Sequence, residues 1–335
     1  MSKRKKHPRG KHKVATAKKR PNAGSKKWLW ILLLLLLAGL LWWKFFAERR
    51  GSGKVVYAQA RSSDYCKTEP VFPLKYGLRS PLLIDLSNRV DNGLFIAEAR
   101  QGGKRLQLPE WKKAGFFGPY ALDEEGNIYL GPVPHVSLYD QPPEHQAQVF
   151  LVDGKTGDIR SFVRLPYAAP PSPRNPFGVM GLAYDCDLKT LYVSTVTGSS
   201  PEEERGAVFQ IDRKTGKVLD KLEGIDALGL GIFNHPSGKK LYFGAARKPE
   251  VFVVDLDEDG HFKGVPQRLF SLQELSGGKF EHAHRIRFNR ENQMEVKAIA
   301  FNYTLQAASD PLRDIYVFDY NPTTDEWTFR EMYKQ

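Results

Sequence analysis

The sequence predicts an all-β body behind one N-terminal membrane-spanning helix, and three observations carry that prediction. Excess positive charge is confined to the N-terminus, an apolar run follows it, and the remainder repeats short apolar strands divided by turns. Of 335 residues, 50 are Lys or Arg and 38 are Asp or Glu, a formal charge of +12. Residues 1–27 hold twelve of the basic groups and no acidic one, whereas the last 285 residues hold 35 basic and 37 acidic groups. A nucleic-acid-binding surface spread over the body is thereby excluded. So is a disordered body, because 41% of the chain is hydrophobic and 12% aromatic.

Residues 1–27 have almost no apolar side chains and include Pro8 and Pro21, which predicts a disordered cytoplasmic tail. Its expected partner is anionic lipid, worth about 1 kcal/mol per basic residue near the surface. No nucleic acid is expected, since no aromatic ring interleaves the charges to stack on bases. Residues 28–47 read Trp-Leu-Trp-Ile, six Leu, Ala-Gly-Leu-Leu-Trp-Trp, then Lys44 and Phe45-Phe46-Ala47. At 1.5 Å per residue the run spans roughly 24–30 Å, one bilayer core. Trp28, Trp30, Trp42 and Trp43 fall at its two ends, where indoles prefer the headgroup level. An uncleaved signal-anchor is favoured over a signal peptide, because the Ala58-Gln59-Ala60 match lies far past the run, beyond Glu48, Arg49 and Arg50. The charge asymmetry places the N-terminus in the cytoplasm. A linker at 48–53 and the body at 54–335 then lie outside, and a bacterial inner membrane with the body in the periplasm is the expected setting.

Both cysteines, Cys66 and Cys186, lie in the exported body. An oxidising compartment favours one disulfide over two unpaired thiols, provided the Cα atoms approach within about 7 Å. The absence of C-x-x-C spacing argues against a redox motif or a Cys-based zinc site.

One phrase recurs in the body as apolar strand, Asp and turn: VFLVDGKTGDI at 149–159, VFQIDRKTGKV at 208–218, VFVVDLDEDGHF at 251–262 and IYVFDYNPTTDEW at 315–327. A second precedes it: ALDEEGNIYLG at 121–131, LAYDCDLKTLYVS at 182–194 and IFNHPSGKKLYFG at 232–244. Both read as hairpins, because Gly, Asn and Asp accept the backbone angles of tight turns. Near-continuous apolar strands such as Val149–Val152 suit a sheet buried on both faces. No long amphipathic helical period appears, and only Leu108–Lys113 and Ser271–Leu275 suggest single helical turns. Two hairpins per unit of roughly 45–60 residues predict a β-propeller. Units fall near 82–116, 117–177, 178–224, 225–280 and 281–335. Residues 54–81, with Val55–Tyr57 and Val71–Leu74, would supply a sixth blade or close the ring with the C-terminal strand. Six blades are expected, with five as the alternative.

LDEEGNIYLG, HPSGKKLYFG and VFQIDRKTGKV resemble the blade-building motifs of NHL-type and SMP-30/gluconolactonase-like propellers, across most of residues 117–270. In the lactonase-like enzymes the resemblance implies an axial divalent cation held by Glu, Asn and Asp. Here the matching segments read Val179-Met180-Gly181-Leu182 and Gly229-Leu230-Gly231-Ile232, without Asn, and Pro236-Ser237-Gly238 replaces P-D-G. The lactonase activity is therefore not carried over.

Loops entering the innermost strands should converge on the channel mouth, which singles out Arg79, Tyr120, Asn175, Asp226 and Glu281 for binding. His282 and His284, two apart on a strand, face one side and are candidate metal ligands, although a site needs a third. Asp153, Asp212, Asp255 and Asp319 read as turn formers. No G-x-S-x-G, H-E-x-x-H or phosphate-binding loop is present. The expected function is a non-catalytic module for an unidentified protein or small-molecule ligand, with no cofactor. The alternative is a metal-dependent hydrolase built on Glu281, His282 and His284.

Overall fold

The computed structural model describes residues 30–40, 60–87, 91–135, 143–305 and 313–335. The chain divides into two compact units, Met1–Gly53 and Lys54–Gln335. In the first unit, residues 30–40 are helical and their apolar side chains are exposed. No helix among the described residues is long and apolar enough to cross a membrane. The rest of the expected span and the whole basic tail and linker lie outside the described residues.

The second unit begins with a two-residue strand, β1 (Arg61–Ser62), and continues as five consecutive sheets. The first has three strands: β2 (Leu82–Asp85), β3 (Phe95–Glu98) and β4 (Arg105–Leu106). The second comprises β5 (Phe117–Leu122), β6 (Ile128–Pro132), β7 (Gln148–Val152) and β8 (Ile159–Arg164). The third comprises β9 (Val179–Asp185), β10 (Thr190–Thr195), β11 (Ala207–Asp212) and β12 (Val218–Glu223). The fourth comprises β13 (Ala227–His235), β14 (Gly238–Ala245), β15 (Glu250–Leu256) and β16 (Phe262–Ser271). The fifth comprises β17 (His282–Phe288), β18 (Gln293–Ile299), β19 (Asp314–Asn321) and β20 (Glu326–Lys334). Every pairing within these five blades is antiparallel and sequential, so the architecture is a β-propeller of five blades.

The sixth blade is not among the described residues. Val71–Leu74 do not form a strand; a 3₁₀ turn runs from Phe72 to Tyr76, opened by Pro73 and ended by Gly77 in the left-handed region at φ 77°. Val55–Tyr57 lie outside the described residues, and β20 pairs only with β19 among them. Residues 60–72 instead form a strap across one end of the propeller. β1 pairs with the inner edge of β13, Cys186 N–H donates to Ser63 O at 3.0 Å, and Thr68 N–H donates to Asp123 O at 3.1 Å. Val71 N–H then reaches Gly154 O at 2.8 Å. The expected disulfide joins Cys66 to Cys186, with Cα atoms 5.8 Å apart, and fastens the strap to the third sheet.

Apolar cores fill the spaces between successive sheets, as strands buried on both faces require. Ile96 and Leu94 meet Phe117 and Ile128 between the first and second sheets. Tyr129 and Leu151 meet Tyr184 and Leu191 between the second and third. Tyr192 and Val208 meet Ile232 and Leu241 between the third and fourth, and Phe233 and Tyr242 meet Ile286 and Phe288 between the fourth and fifth. Five sheets in a ring have five interfaces. The fifth, between the last sheet and the first, holds no such cluster among the described residues.

The fourth and fifth sheets are pinned by a buried polar chain. Trp327 Nε1–H donates to Tyr242 Oη at 3.1 Å, and Tyr242 O–H donates to His235 Nε2 at 2.5 Å. The remaining ring proton faces Asp325, which also accepts from Tyr320 at 2.7 Å. A neutral imidazole satisfies this arrangement. Burial pushes the His235 pKa down to about 4, against the opposing pull of Asp325. The unfolded chain protonates His235 near pH 6.5 and the folded chain does not, so this contribution to stability is complete above pH 6.5 and falls away toward pH 4. At 1.36 kcal/mol per pH unit the full loss is on the order of 3 kcal/mol. Urea melts at pH 7.5 and pH 5 should show a shallower pH dependence for His235→Asn than for the parent, and equal slopes would refute the assignment.

Candidate functional site

The innermost strands of the second to fifth sheets run in the same sense, from the channel mouth toward the strap, whereas β2 of the first sheet runs the other way, its Leu82 N–H donating to Glu69 Oε1 of the strap at 3.1 Å. Near the mouth four of them break register: β5 between Phe117 and Tyr120, β9 at Met180, β13 between Ala227 and Leu230, and β17 at His284. Such bulges re-aim side chains, and here they form one ring around the axis. Close approach of neighbouring strands accompanies them. A Cβ on Gly229 would stand 2.5 Å from His284 O, and one on Gly181 2.5 Å from Leu228 O. Only glycine fits at such distances. These two glycines therefore serve axial packing.

Two cavities lie along this axis. The inner one, about 250 Å³, is walled by Leu182, Leu230 and Ile286 and bounded at the strap end by Ser62, Asp64 and Lys67. At the strap end the charges are matched, with Lys67 Nζ 2.6 Å from Asp64 Oδ2. The outer one, about 960 Å³, occupies the space between the first and last sheets and opens at the mouth. The two share Tyr120, Met180, His284, Arg285 and Arg287 as lining.

The outer cavity exists because of how β17 and β18 alternate. Ala283, Ile286 and Phe288 enter the core against the fourth sheet, while Arg285 and Arg287 point the other way. Cross-strand pairing sets Lys297 opposite Arg285 and Glu295 opposite Arg287 on that same face. Arg313 and Ile299 extend the wall, and Leu83 and Asp85 of β2 line it from the first sheet. A face carrying these cations cannot be covered by an apolar sheet without burying charge, so the first sheet leaves it open.

Charge in this cavity is unbalanced. Arg285 makes no hydrogen bond or ion pair among the described residues, and burial followed by the neighbouring Arg287 lowers its pKa. Arg287 stands over the Tyr120 ring at 5.9 Å and reaches its hydroxyl at 3.4 Å, but forms no ion pair with Glu295. Among the described residues Lys297 Nζ bonds Gln335 Oε1 alone, at 3.4 Å, and its pKa is lowered by burial and then by Arg285, Arg313 and Arg287. Among the described lining residues Asp85 is the only one with a side-chain carboxylate, and Arg105 at 2.6 Å together with Ser87 already engage it. Leu83, Val133, Phe177 and Phe301 supply apolar lining.

Of the residues singled out from sequence, Tyr120 and His284 line this site. The others lie elsewhere. Asn175 is buried and clamps a loop, donating to Val196 O and Ser199 O at 2.8 Å each. Asp226 is buried and accepts from Gly206 N–H at 2.9 Å and from the Ser199 and Tyr303 hydroxyls at 2.5 Å, joining three blades. Glu281 pairs with Tyr316 at 3.2 Å, and burial plus the adjacent Asp314 raises its pKa. The Arg79 backbone N–H donates to Glu98 Oε1 at 2.9 Å, outside both cavities. His282 is buried, its pKa lowered by burial, with a ring nitrogen on the Ile299 backbone and Nδ1 without a partner. The bulge at His284 interrupts alternation, so the expected two-residue relation between His282 and His284 does not hold. No group of three or more His, Cys, Asp or Glu side chains able to hold a metal is present among the described residues.

Arg285, Arg287, Lys297 and Arg313 were not selected from sequence. A signal existed in His282-Ala-His-Arg-Ile-Arg-Phe288: cations at alternate positions of an inner strand whose other face is apolar.

Comparison with known proteins yields likeness of shape only. No protein-family model and no curated protein matches the chain. Among solved structures it is similar to a luciferin-regenerating enzyme, 11% identical, covering 82% of this chain and 80% of that one, with a TM-score of 0.44. It is also similar to a glucose dehydrogenase, 10% identical over 65% of this chain and 72% of that one, with a TM-score of 0.38. A third is the PQQ-bound aldose sugar dehydrogenase from Streptomyces coelicolor, 9% identical over 76% and 75%, with a TM-score of 0.39. At these values no activity or cofactor is transferred, and the propeller rests on its own five sheets.

Proposed function

We propose that this chain is a membrane-anchored propeller displayed outside the cytoplasm, and that it binds a small-molecule ligand between its first and last sheets. The observation that carries the binding role is the unfilled fifth interface: four sheet interfaces are apolar cores, and the fifth is a cavity of about 960 Å³ opening at the channel mouth. Pockets of 300–1,000 Å³ with apolar walls and a few convergent polar groups are the usual form of a ligand site. The anchor is supported by the apolar run 28–47 and the preceding basic residues, and the exported body by the Cys66–Cys186 disulfide.

Two experiments test the two halves. Alkaline phosphatase folds only outside the cytoplasm, so a C-terminal fusion of the full chain should be active in a bacterial host and an N-terminal fusion inactive. The reverse pattern would overturn the orientation. For binding, the full chain in nanodiscs of neutral lipid is melted with a panel of aromatic and aliphatic small molecules, anionic, neutral and cationic. At a hundredfold excess over Kd a bound compound stabilises the folded state by about 2.7 kcal/mol. That shift should vanish in Leu83→Trp, which fills the cavity from an exposed position on β2. A shift that persists in Leu83→Trp, or none with any compound, would refute the site.

A further inference from the structure

Taking the cavity as the ligand site, we infer that its ligand is an amphiphilic oxyanion: a phosphate or carboxylate group on an apolar, ring-sized body. The inference deepens that reading and rests on it. Three cations occupy one face of one sheet. Arg285 and Arg287 are two residues apart on β17, so their side chains leave the strand about 7 Å apart. Lys297 stands opposite Arg285 on β18, with Cβ atoms about 5 Å apart. Such a triangle is wide enough for the oxygens of one phosphate monoester or of two neighbouring carboxylates. Guanidinium groups match these anions with paired parallel N–H donors, which a hydroxyl or a neutral amide does not reproduce.

Two further features select the anion over any other ligand. Within the described residues Arg285 has no hydrogen bond or ion pair, and the one side-chain carboxylate among the described lining residues is already engaged by Arg105 and Ser87. A partly buried guanidinium without a partner is unfavourable for the empty protein, so a ligand that brings the missing charge relieves a cost the fold carries without it. Besides the cations, Leu83, Val133, Phe177 and Phe301 give the cavity apolar lining. A bare inorganic ion leaves that lining wet, whereas an aromatic or aliphatic body covers it. The cations fix the head group and the apolar lining fixes the body.

The full chain in neutral-lipid nanodiscs is titrated calorimetrically with phenyl phosphate, phthalate, inorganic phosphate and benzyl alcohol. The expected result is saturable binding of phenyl phosphate or phthalate, at least tenfold tighter than benzyl alcohol and tighter than inorganic phosphate. The phosphate and carboxylate arms distinguish the two head groups. Arg285→Gln should weaken the preferred anion at least tenfold, whereas Arg160→Gln, exposed on β8, should leave it unchanged and so exclude simple charge attraction. Without ligand, Arg285→Gln should melt at or above the parent temperature, as expected when an unpaired cation is removed. Equal anion binding by Arg285→Gln and Arg160→Gln overturns the inference. Benzyl alcohol binding as tightly as the anions, insensitive to Arg285→Gln but abolished by Leu83→Trp, overturns it while the cavity reading stands. Inorganic phosphate matching phenyl phosphate removes the apolar body from the ligand. Binding of no probe refutes inference and cavity together.

Discussion

Lys239→Met should destabilise the propeller by about 3–5 kcal/mol, the cost of breaking one side of a buried ion pair. Lys239 is 3% exposed, and its Nζ lies 2.5 and 2.6 Å from the two oxygens of Asp185, 3.0 Å from Asp187 and 3.2 Å from Ser63 Oγ. Asp185 is wholly buried, so removing the ammonium leaves a carboxylate with only the Ser63 hydroxyl and turn amides for company. Asp187 feels the same cation. Burial pushes its pKa up, and the charge and hydrogen bond of Lys239 more than reverse that. The network joins β14, the β9–β10 turn and the strap, so its loss should also expose Ser63 to hydrogen exchange. Urea melts check the magnitude. The double variant Lys239→Met/Asp185→Asn should lose less than the sum of its single variants, because each removes what the other leaves unpaired. Strict additivity would show that the pair is not the source of the effect.

That network was invisible in sequence, and the reason is general for this fold. Hairpins were legible because strand and turn chemistry are local: Asp153 and Asp212 accept from backbone amides within their own turns, as their recurrence predicted. The Cys66–Cys186 link was legible because only two cysteines existed. Blade number was not, since 45–60-residue spacing divides the body almost equally well into five or six. The count is decided by what residues 60–81 do and by whether the first and last sheets pack, which are both long-range matters. The site residues are less legible for a related reason. Asn175 and Asp226 were chosen as polar residues in loops at the mouth, but a polar side chain there serves equally to satisfy buried backbone, and both do so. The cations of β17 were overlooked because a strand position reads as core. In a propeller sheet with both faces normally buried, alternating Arg285 and Arg287 is the stronger signal, since such strands rarely carry charge unless one face is left uncovered.

Removing the disulfide, as Cys66→Ser/Cys186→Ser, should cost roughly 4 kcal/mol, near the upper end of what one bridge contributes. The bridge spans 120 residues, and closing so long a loop in the unfolded chain carries most of the entropy a cross-link removes. The folded side of the balance adds to it. β1 is two residues long, so outside the bridge the strap is held by a few backbone bonds, the hydroxyl of Ser63 on Asp185, the contacts of Tyr65 and Arg61 with Asp187, and the Thr68 hydroxyl on Glu124 O. The variant should therefore loosen locally before it unfolds, with faster exchange at Ser63 and Thr68 amides than in the sheets. The strap meets three of the apolar cores only at their edges, through Ala60, Cys66 and Phe72, and the cores are otherwise built from the strands themselves, so the blades remain folded in mild conditions. A sharper expectation concerns the site. The strap seals the end of the channel opposite the mouth, and the cations of β17 and β18 are held by pairing within the fifth sheet. Affinity for phenyl phosphate should then change by less than about twofold, while the melting temperature falls by several degrees. A large loss of affinity with intact blades would show instead that the strap shapes the outer cavity, and stability within 1 kcal/mol of the parent would show that the bridge is incidental to the fold.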